Sequence, residues 1–166
     1  MEHRKILRAI LLNAKNSVRL GTDRINRQAI SSVIISALND AFKRNITVQV
    51  RWGREEPSTI KNKDLINIQK VINDIKLETS NRIEISDLPS NSHAKFLTMD
   101  NDLTVITSFN LLAFAGNGLA DEEITDELGV TISNSNEIGE IIGSFPKPKP
   151  IISKTKKIQR IRNKKL

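Results

Sequence analysis

The apolar residues of this chain switch repeatedly between a helical period of about 3.6 and a strand period of about 2, and that alternation constrains the fold more than any other feature. Ile6, Leu7, Ile10, Leu11 and Ala14 fall on one helical face. Residues 17–20 read as a short strand closed by Gly21. Ile30, Val33, Ile34, Ala37, Leu38 and Ala41 then keep helical spacing for about three turns, with Asn26 as a candidate cap. The run Ile46-Thr47-Val48-Gln49-Val50-Arg51-Trp52 alternates and is rich in β-branched residues, so it predicts a strand. A loop follows over 53–58, and Leu65, Ile68, Ile72 and Ile75 mark a third helix. Beyond Arg82 the pattern favours strands. Ile83 and Ile85 alternate with polar residues, and Pro89-Ser90-Asn91-Ser92 breaks the chain. Residues 93–99 and 103–109 predict two strands joined by a hairpin at Asp100-Asn101-Asp102. Gly116-Asn117-Gly118 opens a polar loop, 128–133 is a further strand and 136–145 a last helix. The expected fold is α/β, a mixed β-sheet flanked by helices.

With 166 residues, 38% of them apolar, the chain can build one real core and not comfortably two. The absence of cysteine excludes disulfides, thiolate metal sites and a cysteine nucleophile. No apolar run approaches the ~18 residues of a membrane span, and Glu2-His3-Arg4-Lys5 puts charge where a signal peptide is apolar. The expectation is a soluble, cytoplasmic protein. Its net charge of +7 is unevenly spread. Nine of the 26 basic residues, and no acid, lie in 146–166, leaving 17 basic against 19 acidic residues elsewhere. We therefore expect a nearly neutral folded domain over 1–145 and a basic, disordered tail over 146–166. Three readings of the tail stay open: a solvated segment, a contact for nucleic acid, or one for an anionic membrane surface.

The hairpin carries the most informative side chains. On a strand, His93 and Lys95 are two residues apart and project from one face, as do Ser108 and Asn110 on the returning strand. A turn centred near Asn101 pairs positions whose numbers sum to about 202, which sets His93 opposite Phe109. Ser108 and Asn110 then flank His93 diagonally, and share its face if a bulge or strand end adjusts the pairing. An imidazole, an ammonium, a hydroxyl and a carboxamide gathered in this way make a nucleophile or base beside an anion cradle. That set suits phosphate.

His93-Ala94-Lys95, four residues, Asp100, six residues, Thr107-Ser108-Phe109-Asn110 resembles the phospholipase D superfamily signature HxK(x)4D(x)6GSxN. Five fixed residues match, and Thr107 stands where the motif has Gly. Glu127, followed by Leu128-Gly129-Val130, falls where these enzymes place a Glu after the motif. The lead-in over 2–52 also resembles their nuclease-type domains, so the resemblance covers about 1–145.

The resemblance implies a phospholipase D-like half-domain with one HKD motif and a metal-independent phosphodiesterase. In that chemistry His93 attacks phosphorus to give a phosphohistidine, and Glu127 orients its ring. Lys95, Ser108 and Asn110 hold the phosphoryl oxygens, and Asp100 fixes the hairpin rather than touching substrate. No metal or other cofactor is implied. A second imidazole must protonate the leaving oxygen, and His3 has neither a Lys two residues on nor an SxN partner. The implied assembly is a homodimer that completes one site across a two-fold axis, with a larger assembly of the phage-defence type as a further possibility.

Small size and the basic tail favour DNA or RNA as substrate, and a membrane partner is not expected. The alternatives are a phospholipase or lipid-headgroup transferase, and a dimeric nucleic-acid-binding module without catalysis. Asp121, Glu122, Glu123, Asp126 and Glu127 read as a solvated acidic loop rather than a metal site, and Trp52 and Phe109 as core. Arg51 and Arg54 either line a groove or are simply solvated.

Overall fold

The computed structural model describes residues 3–53, 61–113 and 128–143. Helix α1 (His3–Asn13) sends Leu7, Ile10 and Leu11 into the core, and the fully buried Ala14 ends that face. Strand β1 (Ser17–Thr22) follows, then helix α2 (Ser32–Lys43), which buries Ile34, Ala37, Leu38, Ala41 and Phe42. Strand β2 (Thr47–Trp52) pairs parallel with β1. Helix α3 (Asn62–Glu78) leads to the two-residue β3 (Glu84–Ile85), which adds in parallel to β2. Strands β4 (Phe96–Met99), β5 (Leu103–Thr107) and β6 (Gly129–Ile132) pair antiparallel, and helix α4 (Ser135–Gly143) follows. The sheet has six strands in the order β3-β2-β1-β4-β5-β6. This is the mixed α/β architecture that the periodicity predicts.

The core lies between β1 and β2, which contribute Val18, Leu20, Val48 and Val50, and the apolar faces of α1, α2 and α3. Burial of each such Leu or Ile contributes about 2 kcal/mol, so the parallel half of the sheet is a firm base. Trp52, 2% exposed, is part of it and donates its indole N–H to the carbonyl of Ser86 at 2.7 Å. Phe109 packs against the same core. Among the described residues, no helix is long and apolar enough to cross a membrane.

Several local expectations change. Gly21 does not close β1 but sits inside it, where a Cβ would lie 2.4 Å from the Phe96 ring on the paired strand. Asn26 does not cap α2. Its side chain accepts the Gln28 N–H at 3.1 Å and caps a separate 3-10 turn, Arg27–Ala29, while α2 begins after Ser31. The hairpin has the expected register, with Phe96 opposite Ile106 and Leu97 opposite Val105. Its strands are shorter than expected, so His93 and Lys95 precede β4 and Ser108 follows β5. The last rung between β1 and β4 is Gly21 with Phe96. Just upstream, the backbone N–H groups of Ser90 and Ser92 turn to the carbonyls of Trp52 and Gly53. The chain before β4 is thus drawn across the end of β2 instead of extending the ladder. The loop at Gly116, the acidic run 121–127, Arg54, Phe145 and the tail 146–166 lie outside the described residues.

Candidate active site

Strands β1 and β4 run antiparallel, so the C-terminal end of β1 meets the N-terminal entry to β4. Three reactive side chains converge there. The His93 imidazole, 62% exposed, has its Nε2 3.1 Å from Lys95 Nζ and 3.5 Å from Asp23 Oδ2. Only the first distance lies within ordinary hydrogen-bond range. An ammonium can only donate, so the contact is a hydrogen bond when Nε2 carries the ring's lone pair. The Asp23 carboxylate, its side chain 5% exposed, then acts on the ring as a nearby charge.

Backbone bonds fix this arrangement. Lys95 accepts the Thr107 N–H at 3.0 Å, one rung beyond β4. Asn110 Oδ1 accepts the Asp23 N–H at 3.1 Å, and the Leu112 carbonyl accepts the Asn26 N–H at 2.7 Å. The turn after β5 is in this way laced to the turn after β1. The Ser92 hydroxyl accepts the Ala94 N–H at 3.2 Å between the two site residues. Thr107, in the position of the motif Gly, is 7% exposed, and its hydroxyl accepts the Phe109 N–H at 3.0 Å. Its backbone is not left-handed, so nothing in its conformation demands glycine.

The residues singled out from sequence fall into three places. His93 and Lys95 meet directly, and Asn110 joins them through Asp23. Ser108 holds β6: its Oγ accepts the Leu128 N–H at 3.0 Å, and its own N–H donates to the Leu128 carbonyl at 2.9 Å. Leu128 is the residue after Glu127, which itself lies outside the described residues. Asp100 is at the far end of β4, where its carboxylate accepts the backbone N–H groups of Lys15 (2.9 Å), Asn16 (2.7 Å) and Ser17 (2.8 Å). Burial alone would raise the Asp100 pKa. The three N–H donors and the Lys15 charge outweigh it and hold the carboxyl below its ordinary value. Asp100 therefore ties the hairpin to the loop between α1 and β1. Among the described residues, no three His, Cys, Asp or Glu side chains converge as metal ligands would.

Asp23 is the site residue that motif spacing misses, because it stands seventy positions before His93 in the chain. The signal for it is topological. Sites in open α/β sheets form beyond the carboxyl ends of parallel strands, and Asp23 is the first residue after β1.

At the strand ends between β1 and β4, in the middle of the mixed sheet, an exposed imidazole thus stands beside a lysine and a buried aspartate. The family described as "Cardiolipin synthase, PLD-like domain" matches residues 7–147, and the chain belongs to this phospholipase D-like family. No curated protein sequence matches the chain. Among solved structures, the phospholipase D family member Nuc from Salmonella typhimurium is similar at 22% identity and a TM-score of 0.54, over 84% of this chain and 82% of its own. NucT from Helicobacter pylori is similar at 16% identity and a TM-score of 0.51, again over 84% and 82%. Polyphosphate kinase from Porphyromonas gingivalis is similar at 17% identity and a TM-score of 0.56, over 90% of this chain but only 25% of that enzyme. These likenesses are likenesses of fold.

Proposed function

We propose that the chain is a phosphodiesterase that hydrolyses DNA or RNA, using His93 as nucleophile in a site shared by two copies. The observation that carries this reading is the His93–Lys95 pair, in contact at 3.1 Å with the imidazole exposed; the mechanism uses the tautomer in which Nε2 holds the lone pair. The Nε2 lone pair forms a bond to phosphorus as the bond to the leaving oxygen breaks, and a second imidazole gives that oxygen its proton. Water then attacks phosphorus, yields a proton to the second imidazole, and returns the electron pair to His93. Lys95 moves from Nε2 to a phosphoryl oxygen when substrate enters. Asn110 and Ser108 are assigned to the remaining phosphoryl oxygens, and Glu127 to the Nδ1 proton.

The second imidazole is assigned to His93 of another copy. Ile106 and its cross-strand neighbour Val130 are 40% and 60% exposed, and Leu128, bonded to Ser108, is 79% exposed. Such an apolar strip beside the site offers a surface on which a copy can pack. The phosphodiesterase domain is taken to span 1–145. The nine basic residues of 146–166 supply sequence-independent attraction to a polyanion, which favours nucleic acid over a lipid headgroup.

The test is cleavage of labelled DNA, RNA and phospholipid in EDTA, with His93→Ala as control. Nucleic acid should be cut by the wild type only. Wild type mixed with excess His93→Ala should lose activity faster than its own dilution, because mixed dimers hold one imidazole. Activity that needs added metal, or that survives in His93→Ala, would overturn the mechanism. A fully active monomer would overturn the shared site.

A further inference from the structure

We propose that Asp23 sets the charge of the substrate, favouring a phosphodiester monoanion over a phosphomonoester dianion; the inference rests on the phosphate-site reading above and adds its selectivity. Asp23 Oδ2 lies 3.5 Å from the nitrogen that is to attack. A phosphorus poised about 3–3.5 Å from Nε2 brings its own oxygens within a few ångströms of that carboxylate. Asp23 has little freedom to withdraw. Its side chain is 5% exposed and its backbone N–H is held by Asn110 at 3.1 Å.

Burial strengthens charge–charge effects near the carboxylate. Lys95 attracts any phosphate, but Asp23 beside it offsets that attraction, so the cradle is far less cationic than its lysine suggests. A nucleic-acid linkage carries one negative charge, whereas a terminal phosphate carries about 1.5 to 2 near neutral pH. The repulsion from Asp23 therefore falls about twice as heavily on a monoester. The site is built to take internal linkages and to refuse terminal phosphates. It also helps turnover, since hydrolysis of a diester converts a monoanion into a monoester that the same carboxylate expels. Asp23 is a specificity residue in this scheme, not a base, since 3.5 Å from Nε2 is beyond ordinary hydrogen-bond range.

Binding can be read without turnover. Affinities of the full chain for inorganic phosphate and for dimethyl phosphate would be measured at pH 8 by calorimetry, for wild type, Asp23→Asn and Asp23→Glu. Asp23→Asn should bind inorganic phosphate about tenfold more tightly while dimethyl phosphate changes by less than about threefold. Asp23→Glu should keep the wild-type preference. If Asp23→Asn fails to fold by circular dichroism, the wild type at a fixed pH 8 decides: inorganic phosphate, largely a dianion there, should bind more weakly than dimethyl phosphate. Equal changes for the two anions in Asp23→Asn, or a wild type that binds inorganic phosphate as tightly as dimethyl phosphate, would overturn the inference. A wild type that binds neither anion would overturn the phosphate site and this inference with it, whereas a charge preference without cleavage would sink only the nuclease reading.

Discussion

The two ends of the β1–β4 pair each carry an aspartate that is 6% exposed, and the two have opposite employment. At one end Asp100 is saturated by three backbone N–H groups from the loop before β1. At the other end Asp23 gives its backbone to Asn110 and turns its carboxylate toward an exposed imidazole. Residue type and burial are the same, so neither tells which aspartate serves the fold and which the chemistry. Partner atoms do. A carboxylate answered by main-chain donors is fixed for stability, while one facing an exposed imidazole at the strand ends is left able to act on a bound ligand.

The comparison is tested most severely at the Asp100 end. Asp100→Asn should lower stability by about 3 kcal/mol at pH 7, since two or three charge-assisted bonds weaken and an amide N–H₂ faces N–H donors. The substitution isolates charge, because Asn tolerates the left-handed backbone of Asp100 (φ 53°) as well as Asp does. The pH dependence has a fixed sign. The folded pKa is depressed, so the stabilisation is fully present above the unfolded value of about 3.9 and is lost as pH falls through the folded one. The gap between urea melts of the two proteins should therefore narrow progressively as pH falls below about 3.9. A gap that stays constant from pH 7 to pH 2 would show that the carboxylate charge is not what holds this end.

At the other end the effect should appear in rate rather than in melting. Lys95→Ala should slow cleavage of a small phosphodiester about a hundredfold, like loss of one oxyanion donor. Stability should change by no more than about 0.5 kcal/mol, because the side chain is only partly buried and its contact is with the exposed His93. A Lys95→Ala protein that melts early would place this end with Asp100, as framework.

The asymmetry also explains what was legible in the sequence. The hairpin register was readable because Asp100-Asn101-Asp102 is a strong turn and the rungs on either side follow from counting. The strand ends were not, because what stops β4 at Phe96 is the capture of Ser90 and Ser92 by the end of β2, a contact between distant segments. Gly21 looked like a terminator for the same reason: the Phe96 ring that makes it necessary lies on another strand. His93, Lys95, Ser108, Asn110 and Asp100 stand within one hairpin and its flanks, so spacing could group them. Asp23 reaches the group only through the pairing of β1 with β4. Asn26 is a cap, but of a 3-10 turn too short to leave a period in the sequence rather than of α2.

The smallest effect concerns Thr107, which closes β5 at the His93 end of the hairpin, its N–H on the Lys95 carbonyl. A glycine that the motif requires for a left-handed backbone or a close approach would make threonine costly here, and Thr107→Gly would then stabilise the chain and raise its rate. The local geometry argues the reverse. Thr107 has no left-handed backbone, and its hydroxyl accepts the Phe109 N–H at 3.0 Å, which shapes the bend that carries Ser108 and Asn110 past the strand. Replacement by Gly removes that bond and adds backbone freedom at a strand end, together about 1.5 kcal/mol of destabilisation. The reactive groups of His93 and Lys95 are untouched, so the rate should stay within about threefold of wild type when measured well below the melting temperature. Thermal melts and diester turnover on the same preparation decide it. A more stable or markedly faster Thr107→Gly would mean that the threonine strains the pocket, and that the bend after β5 belongs with the chemistry rather than with the frame.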